Sequence, residues 1–179
     1  MIPRALIIVD LENEWKDKSS EYFIGDISGL VKKTNKLIDL CRERGYKIIF
    51  ITHIEEDSDS AFAPGSKNIQ IIKEVHKQNN DVLITKSKIS PFYNTSLEKE
   101  LKNIPEIVIS GVLTNLCVRS LAQDAYDRDF RITIIKDCCL AFDSETHEFT
   151  LKDLKATREE IEILTLEEFS KQKQSLKII

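Results

Sequence analysis

Three side chains that suit nucleophilic catalysis stand at or shortly after the ends of three separate apolar runs: Asp10, Lys86 and Cys117. Because the carboxyl ends of parallel strands meet at one edge of a sheet, we expect the carboxylate, the ammonium and the thiol to share one crevice. A thiol beside a base and a cation is a candidate nucleophile. Taken singly, a cysteine is more often a buried core residue and an aspartate a loop cap, so it is the convergence of the three that favours catalysis.

The position of Cys117 predicts an activated thiol. It lies between the apolar run 107–109 and the stretch 118–126, in which apolar residues recur at helix spacing. Unpaired N–H groups at the start of a helix lower the pKa of a thiol and can bind an oxyanion. Lys86 would lower the pKa further, and Asp10 could act as the base. We therefore expect Cys117 to lose its proton readily.

Strand and helix patterns alternate along the chain. Apolar, β-branched runs predict six strands, at 5–9, 47–52, 81–85, 107–109, 131–135 and 161–164. Helix-spaced apolar residues predict helices at 30–41, 69–77, 118–126 and 144–155, with two more that begin at 95 and 165. The pattern predicts an α/β fold: one three-layer α/β/α domain over residues 1–179 with a six-stranded parallel sheet.

Several local signals refine this scheme. Two capping boxes are predicted, Thr95 with Glu98 and Thr165 with Glu168. The polar stretch 55–66 reads as a loop that could form a lid or rim at the active edge. The apolar end, Ile178–Ile179, could be docked on the domain.

Composition excludes several classes of function. The 179 residues carry a net charge of −4, so there is no basic footprint for nucleic acid and no polybasic patch for a membrane. No apolar run is long enough to span a bilayer, and no signal peptide is recognised. The four cysteines form neither a C-x-x-C motif nor a disulfide framework, which predicts a reduced, cytoplasmic setting. The first strand is followed by no glycine-rich phosphate loop, so a nucleotide-binding domain has no support.

Five motifs spread over nearly the whole chain resemble those of the isochorismatase-like cysteine hydrolase superfamily. They are A-L-I-I-V-D ending at Asp10, T-K-S-K-I-S-P-F-Y-N-T-S-L around Lys86, G-V-L-T-N-L-C-V-R-S-L-A-Q-D-A around Cys117, D-C-C-L-A-F-D from Asp137 and I-L-T-L-E-E-F from Ile163. Any one of them alone is weak, but together they are specific.

The resemblance implies a catalytic triad of Asp10, Lys86 and Cys117. It also implies a cis peptide between Val112 and Leu113, with the backbone N–H groups of Leu113 and Cys117 forming an oxyanion hole. The implied reaction is cleavage of a C–N bond in a small amide or ureido substrate through a Cys117 thioester. No cofactor is expected, and the resemblance implies a homo-oligomer, either a dimer or a tetramer.

Two departures from the family pattern bear on the substrate. Glu12 stands where the family commonly has Gln, and Trp15 stands where Phe is common. Nicotinamidases bind a divalent metal through several His and Asp side chains near the second strand. Here His53 is the one histidine in that region, with Glu55 or Asp57 as possible further ligands, so we predict no metal site.

The lead hypothesis is therefore an amidohydrolase of the N-carbamoylsarcosine or ureido type, with a nicotinamidase-like amidase as the alternative. Isochorismatases proper typically lack the cysteine, so Cys117 argues against their reaction. A non-catalytic binding or scaffold protein of the same fold is the alternative from another class, but no triad residue is missing.

Candidate residues for the pocket of the small-molecule substrate are Trp15, Phe62, Phe92, Tyr93 and Asn115. The neighbouring Cys138 and Cys139 are interpreted as core or pocket lining.

Overall fold

A six-stranded parallel sheet forms the middle layer of the computed structural model, which describes residues 2–172. The sheet order is β3-β2-β1-β4-β5-β6. The strands are β1 (Arg4–Val9), β2 (Lys47–His53), β3 (Val82–Lys86), β4 (Glu106–Val112), β5 (Arg131–Leu140) and β6 (Glu162–Leu164). The chain builds outward from β1 to β3 and then returns to place β4 on the other side of β1. The strand order thus reverses between β1 and β4, which is where parallel sheets open a crevice for ligands.

Helices cover both faces of the sheet and complete the predicted α/β/α architecture. They are α1 (Ser28–Glu43), α2 (Leu97–Glu100), α3 (Arg119–Tyr126), α4 (Ser144–Thr157) and α5 (Leu166–Lys171). Strand β1 is buried on both sides: Ala5, Ile7 and Val9 join the core beneath α2, α3 and α4, while Leu6 and Ile8 join the core beneath α1 and α5. Two-sided burial explains why this strand is a continuous apolar run rather than an alternating one. Within residues 2–172, no helix combines the length and apolar character that crossing a membrane requires.

The predicted helix at 69–77 is wrong. This segment pairs with the chain that follows β1: Ile72 N–H donates to Leu11 O at 3.0 Å, and Asn13 N–H donates to Gln70 O at 3.0 Å. An isolated antiparallel bridge joins Glu12 to Ile71. Ile72 is buried, as it would be on the inner face of a helix. Its backbone N–H, however, bonds to the segment that follows β1 and not to a residue within a helix.

Other local predictions had mixed outcomes. The capping box of Thr165 and Glu168 is confirmed at the start of α5. The one at Thr95 is wrong, because Thr95 accepts from Leu97 N–H at 3.1 Å and α2 begins two residues later than expected. Strand β5 extends five residues beyond its predicted end, so Cys138 and Cys139 lie buried within the strand. The expected docking of Ile178–Ile179 lies outside the described residues.

Candidate active site

The ends of β1 and β3 contribute a buried ion pair. Lys86 Nζ lies 2.8 Å from Asp10 Oδ2, and the side chains are 0% and 1% exposed, respectively. Strand β2 separates β1 from β3, so the long lysine side chain reaches across the end of β2 to meet the carboxylate. Buried ions of opposite charge are stable together, whereas removing one would leave the other unpaired.

Cys117 completes the cluster from a different element. It lies in a π-helical turn, Thr114–Val118, that follows β4 and leads directly into α3. Lys86 Nζ donates toward Cys117 Sγ at 3.3 Å. Asp10 and Lys86 are buried, but Cys117 is partly exposed. The structure therefore brings together the three residues that the sequence singled out, and the thiol is the member that a substrate can reach.

The expectation of a readily ionised thiol is wrong. Burial, followed by the negative charge of Asp10, raises the pKa of Cys117 to about 12, although Lys86 acts in the opposite direction. The sequence identified the contribution of Lys86 correctly but could not weigh it against burial. At neutral pH the resting thiol is protonated, so attack on a carbonyl requires transfer of the thiol proton to a base.

Lys86 remains charged in this setting. Burial alone would lower the pKa of Lys86, but Asp10 and Cys117 together outweigh burial and raise it. A fixed ammonium between a carboxylate and a sulfur atom can stabilise negative charge on whichever of the two carries it. The site thus combines a proton acceptor, a permanent cation and a nucleophile.

The end of β4 leaves no room for a side chain at Gly111, next to β1. Gly111 has φ +125°, and a Cβ atom placed on it would lie 2.0 Å from Val9 O. The peptide bond between the next two residues, Val112 and Leu113, is cis. Only glycine fits at position 111, because any side chain would collide with β1. This explains the glycine that begins the sequence motif G-V-L-T-N-L-C.

The backbone of Asp10 is held in an uncommon conformation by Trp15. Asp10 has φ +52°, in the left-handed region that non-glycine residues rarely adopt. Its carbonyl oxygen accepts from Trp15 Nε1–H at 2.6 Å and from Glu12 N–H at 3.0 Å. Trp15 is 5% exposed and lies in a 3-10 turn at Asn13–Lys16. Trp15 therefore anchors the turn that carries Asp10, and its role as a pocket wall stays a prediction.

Replacing Trp15 by Phe should lower the turnover rate by about fivefold and leave the fold intact, because one hydrogen bond of about 1 kcal/mol is lost. The measurement is the steady-state rate of the variant alongside its urea-unfolding midpoint. Tyr46→Phe is the matched control, since it removes a hydrogen bond from Arg4 (3.2 Å) at the amino end of the sheet. An unchanged rate in Trp15→Phe would show that the indole N–H does not position Asp10.

An aromatic cluster stands beside the triad. Trp15 packs against Phe62 with ring centroids 5.3 Å apart, and Phe62 packs against His53 at 5.2 Å. Tyr22 and Phe142 also contact Trp15. The sequence analysis missed Tyr22 and Phe142. Phe142 could have been found, because it follows β5 at the same edge of the sheet, whereas nothing in the sequence marks Tyr22.

The remaining pocket candidates lie outside the aromatic cluster. Phe92 belongs to the core, where it packs against Phe130 at 6.2 Å and beneath the Arg128 guanidinium at 4.4 Å. Phe92 is 8% exposed, and its role as a pocket residue stays a prediction. Tyr93 and Asn115 line a surface cavity of about 660 Å³, and Asn115 lies in the turn that carries Cys117.

His53 takes part in the site but is not arranged as a metal ligand. Its Nδ1 lies 3.3 Å from Lys86 Nζ, and its Nε2 lies 2.7 Å from Glu55 Oε1. An ammonium can only donate, so Nδ1 accepts and Nε2 carries the hydrogen that is donated to Glu55. Both ring nitrogens are thus engaged, and Asp57 is exposed. Within residues 2–172, no three His, Cys, Asp or Glu side chains are grouped to hold a metal ion.

The fold agrees with comparisons to known proteins. The protein-family model described as the isochorismatase domain matches residues 4–168. The uncharacterised isochorismatase family protein YrdC of Bacillus subtilis is 32% identical, over 91% of this chain and 87% of its own. The chain therefore belongs to the isochorismatase family.

Two more distant relatives carry names that state an activity. Nicotinamidase 3 of Arabidopsis thaliana is 26% identical, over 84% of this chain and 79% of its own. The ureidoacrylate amidohydrolase RutB of Rhizobium rhizogenes is 23% identical, over 74% and 68%. Among solved structures, an isochorismatase-like hydrolase from Alkaliphilus metalliredigens has a TM-score of 0.83 at 23% identity, covering 94% of this chain and 97% of that one. That structural likeness concerns the fold.

Proposed function

We propose that this protein is a cysteine amidohydrolase that cleaves a C–N bond in a small amide or ureido compound. The observation that carries the proposal is the buried Asp10–Lys86 pair, at 2.8 Å, with the Cys117 sulfur 3.3 Å from the same ammonium. A thiol, a base and a fixed cation at one point are what acyl transfer through a thioester requires. Membership of the isochorismatase family supports the same reaction class.

The reaction proceeds in two halves. In the first, Asp10 takes the thiol proton as Cys117 Sγ bonds to the substrate carbonyl carbon, and the carbonyl oxygen becomes an oxyanion. We assign the backbone N–H groups of Leu113 and Cys117 as donors to that oxyanion. The C–N bond then breaks, and protonated Asp10 gives its proton to the departing nitrogen, which leaves as ammonia or an amine.

The second half regenerates the enzyme. A water molecule attacks the thioester carbonyl and gives a proton to Asp10. The C–S bond breaks, the acyl group leaves as an acid, and the proton returns to the sulfur. Throughout, Lys86 stays charged and stabilises negative charge on the carboxylate or on the sulfur.

The substrate we favour is of the N-carbamoyl or ureido type. Its support is the arrangement of His53, whose two ring nitrogens are both engaged by Lys86 and Glu55 rather than turned toward a shared metal site. The relative named ureidoacrylate amidohydrolase is consistent with this class. A nicotinamidase-like activity is the second candidate, favoured by the aromatic cluster and by the relative named nicotinamidase 3.

A panel of small amides and ureides, including nicotinamide and N-carbamoyl amino acids, tests both candidates by ammonia release. We expect turnover by the wild type and its loss in Cys117→Ala. Cys41→Ala is the matched control, because Cys41 lies on the buried face of α1, outside the site. Nicotinate production would favour the second candidate. Absence of turnover across the panel, or full activity in Cys117→Ala, would favour a non-catalytic binding protein instead.

We also propose a cellular compartment and an oligomeric state. All four cysteines are free thiols, and a reduced Cys117 is needed for the reaction, so we propose a reducing, cytoplasmic compartment. A homodimer or homotetramer is proposed from the family resemblance, and sedimentation analysis of the purified protein tests it.

A further inference from the structure

Glu12 is a fully buried carboxyl group beside the Asp10–Lys86 pair, and the proposed reaction does not use it. The residue is 0% exposed. Its Oε1 accepts from the backbone N–H of His53 at 2.5 Å, whereas its buried Oε2 has no hydrogen-bond partner. Its own backbone N–H donates to Asp10 O at 3.0 Å. Two carboxyl groups, two positions apart in the chain, thus enter a site that holds one ammonium.

The charges around Glu12 do not favour a second carboxylate. The groups that face it are Asp10 at the end of β1, His53 at the end of β2, Lys86 at the end of β3 and Glu14 in the 3-10 turn. Lys86 already forms its ion pair with Asp10. Burial, followed by the charge of Asp10, raises the pKa of Glu12 to about 10, although the His53 N–H and Lys86 act in the opposite direction. At neutral pH this carboxyl group therefore carries a proton.

We propose that Glu12 is a positioning residue that acts as a neutral carboxylic acid: it fixes the end of β2 so that His53 holds Lys86 between Asp10 and Cys117. Three hydrogen bonds link Glu12 to Cys117. Glu12 Oε1 accepts from His53 N–H at 2.5 Å, His53 Nδ1 accepts from Lys86 at 3.3 Å, and Lys86 donates to Cys117 Sγ at 3.3 Å. The catalytic roles of Lys86 and Cys117 in this inference rest on the proposed function.

A neutral acid and a primary amide have nearly the same shape, and each offers a carbonyl acceptor together with a donor group, one O–H in the acid and an NH2 in the amide. Glutamine at position 12 should therefore preserve the contact with His53, whereas a carboxylate would add a buried charge next to Asp10. Glu12→Gln is therefore a variant that separates the positioning role from the charge.

Infrared spectroscopy tests the protonation state without any substrate. With ¹³C-labelled glutamate, we expect a carboxylic-acid band at pH 7 in the wild type that is absent in Glu12→Gln. Glu14→Gln is the matched control, since Glu14 is also buried (2% exposed) and its variant should keep the band. The band should disappear with a midpoint near pH 10. Absence of the band in the wild type, or its persistence in Glu12→Gln, overturns the proposal.

Stability against pH gives a second test. The pKa of Glu12 in the folded protein, about 10, lies above the ordinary value of 4.5, so its contribution to stability is fully present below 4.5 and is lost as the pH rises to 10. We expect Glu12→Gln to remove this loss, so that its unfolding free energy exceeds that of the wild type by an amount that grows between pH 5 and pH 10. Parallel pH profiles for the two proteins contradict the proposal.

The positioning role is tested by the rate of iodoacetamide reaction at Cys117, corrected with Cys117→Ala. Glu12→Ala should change this rate by about tenfold, because the anchor of His53 is lost, and Glu12→Gln should restore the wild-type rate. If Glu12→Ala does not fold, Glu12→Leu serves in its place. Equal rates in all variants, or a failure of Gln to rescue, overturns the role. Because no turnover is required, this result stands apart from any failure of the proposed amidohydrolase activity.

Discussion

Replacing Asp10 by Asn should lower amide turnover by about 10³-fold and, at the same time, accelerate alkylation of Cys117 by iodoacetamide. Turnover falls because a thiol with a pKa of about 12 needs a base to release its proton. Alkylation rises because the Asp10 carboxylate is one of the groups that raise the pKa of that thiol, and its removal leaves Lys86 free to stabilise the thiolate.

The two rates are measured on the same preparation, one by ammonia release and the other by intact-protein mass. Asp81→Asn is the matched control, since Asp81 is also a buried carboxylate, 4% exposed and paired with Arg42 at 2.9 Å. Asp81→Asn should weaken stability and leave both rates unchanged. A parallel fall of turnover and alkylation in Asp10→Asn would mean that Asp10 activates the resting thiol instead of accepting its proton during attack.

Replacing Gly111 by Ala should destabilise the protein by at least about 3 kcal/mol. An added Cβ would lie 2.0 Å from Val9 O and 2.6 Å from Val9 N, which are atoms of the central strand that cannot move aside. The φ of +125° adds a second penalty for any residue with a side chain. Loss of this approach between β1 and β4 would also separate Asp10 from the turn that carries Cys117.

Urea unfolding followed by circular dichroism measures this effect. Gly29→Ala is the matched control, because Gly29 lies in α1 with open space around its Cα and no positive φ. That change should stabilise the protein by up to about 1 kcal/mol, as expected for alanine in a helix. A Gly111→Ala protein with wild-type stability would refute the close approach of β4 to β1.

The layered α/β architecture and the meeting of Asp10, Lys86 and Cys117 were predictable because both follow from short-range patterns. Runs such as Ala5–Val9 report two-sided burial directly, and polar residues at the ends of such runs meet by the geometry of a parallel sheet. The helix expected at 69–77 was wrong because apolar residues at positions such as 72 and 75 fit either a helix or an extended segment docked on the core. Hydrogen bonds to residues 11–14 favour the extended segment. These contacts are distant in the sequence, so the local pattern of residues does not reveal them.

The pKa values of the site residues were harder to predict than the identity of those residues. The sequence shows that Lys86 can lower the pKa of Cys117, but the opposing effects of burial and of Asp10 depend on the packed structure. Glu12 illustrates the same limit. Its residue type was visible, but its complete burial and its contact with the His53 backbone were not.

The most direct test of the account is acid-quenched mass spectrometry during turnover of a substrate found in the panel. We predict a covalent adduct with the mass of the substrate acyl group on the peptide that contains Cys117, formed and lost at the rate of turnover and absent in Cys117→Ser. Turnover by the wild type with Cys117 unmodified at every time point, together with wild-type turnover by Cys117→Ser, would contradict the proposal that this thiol carries the reaction.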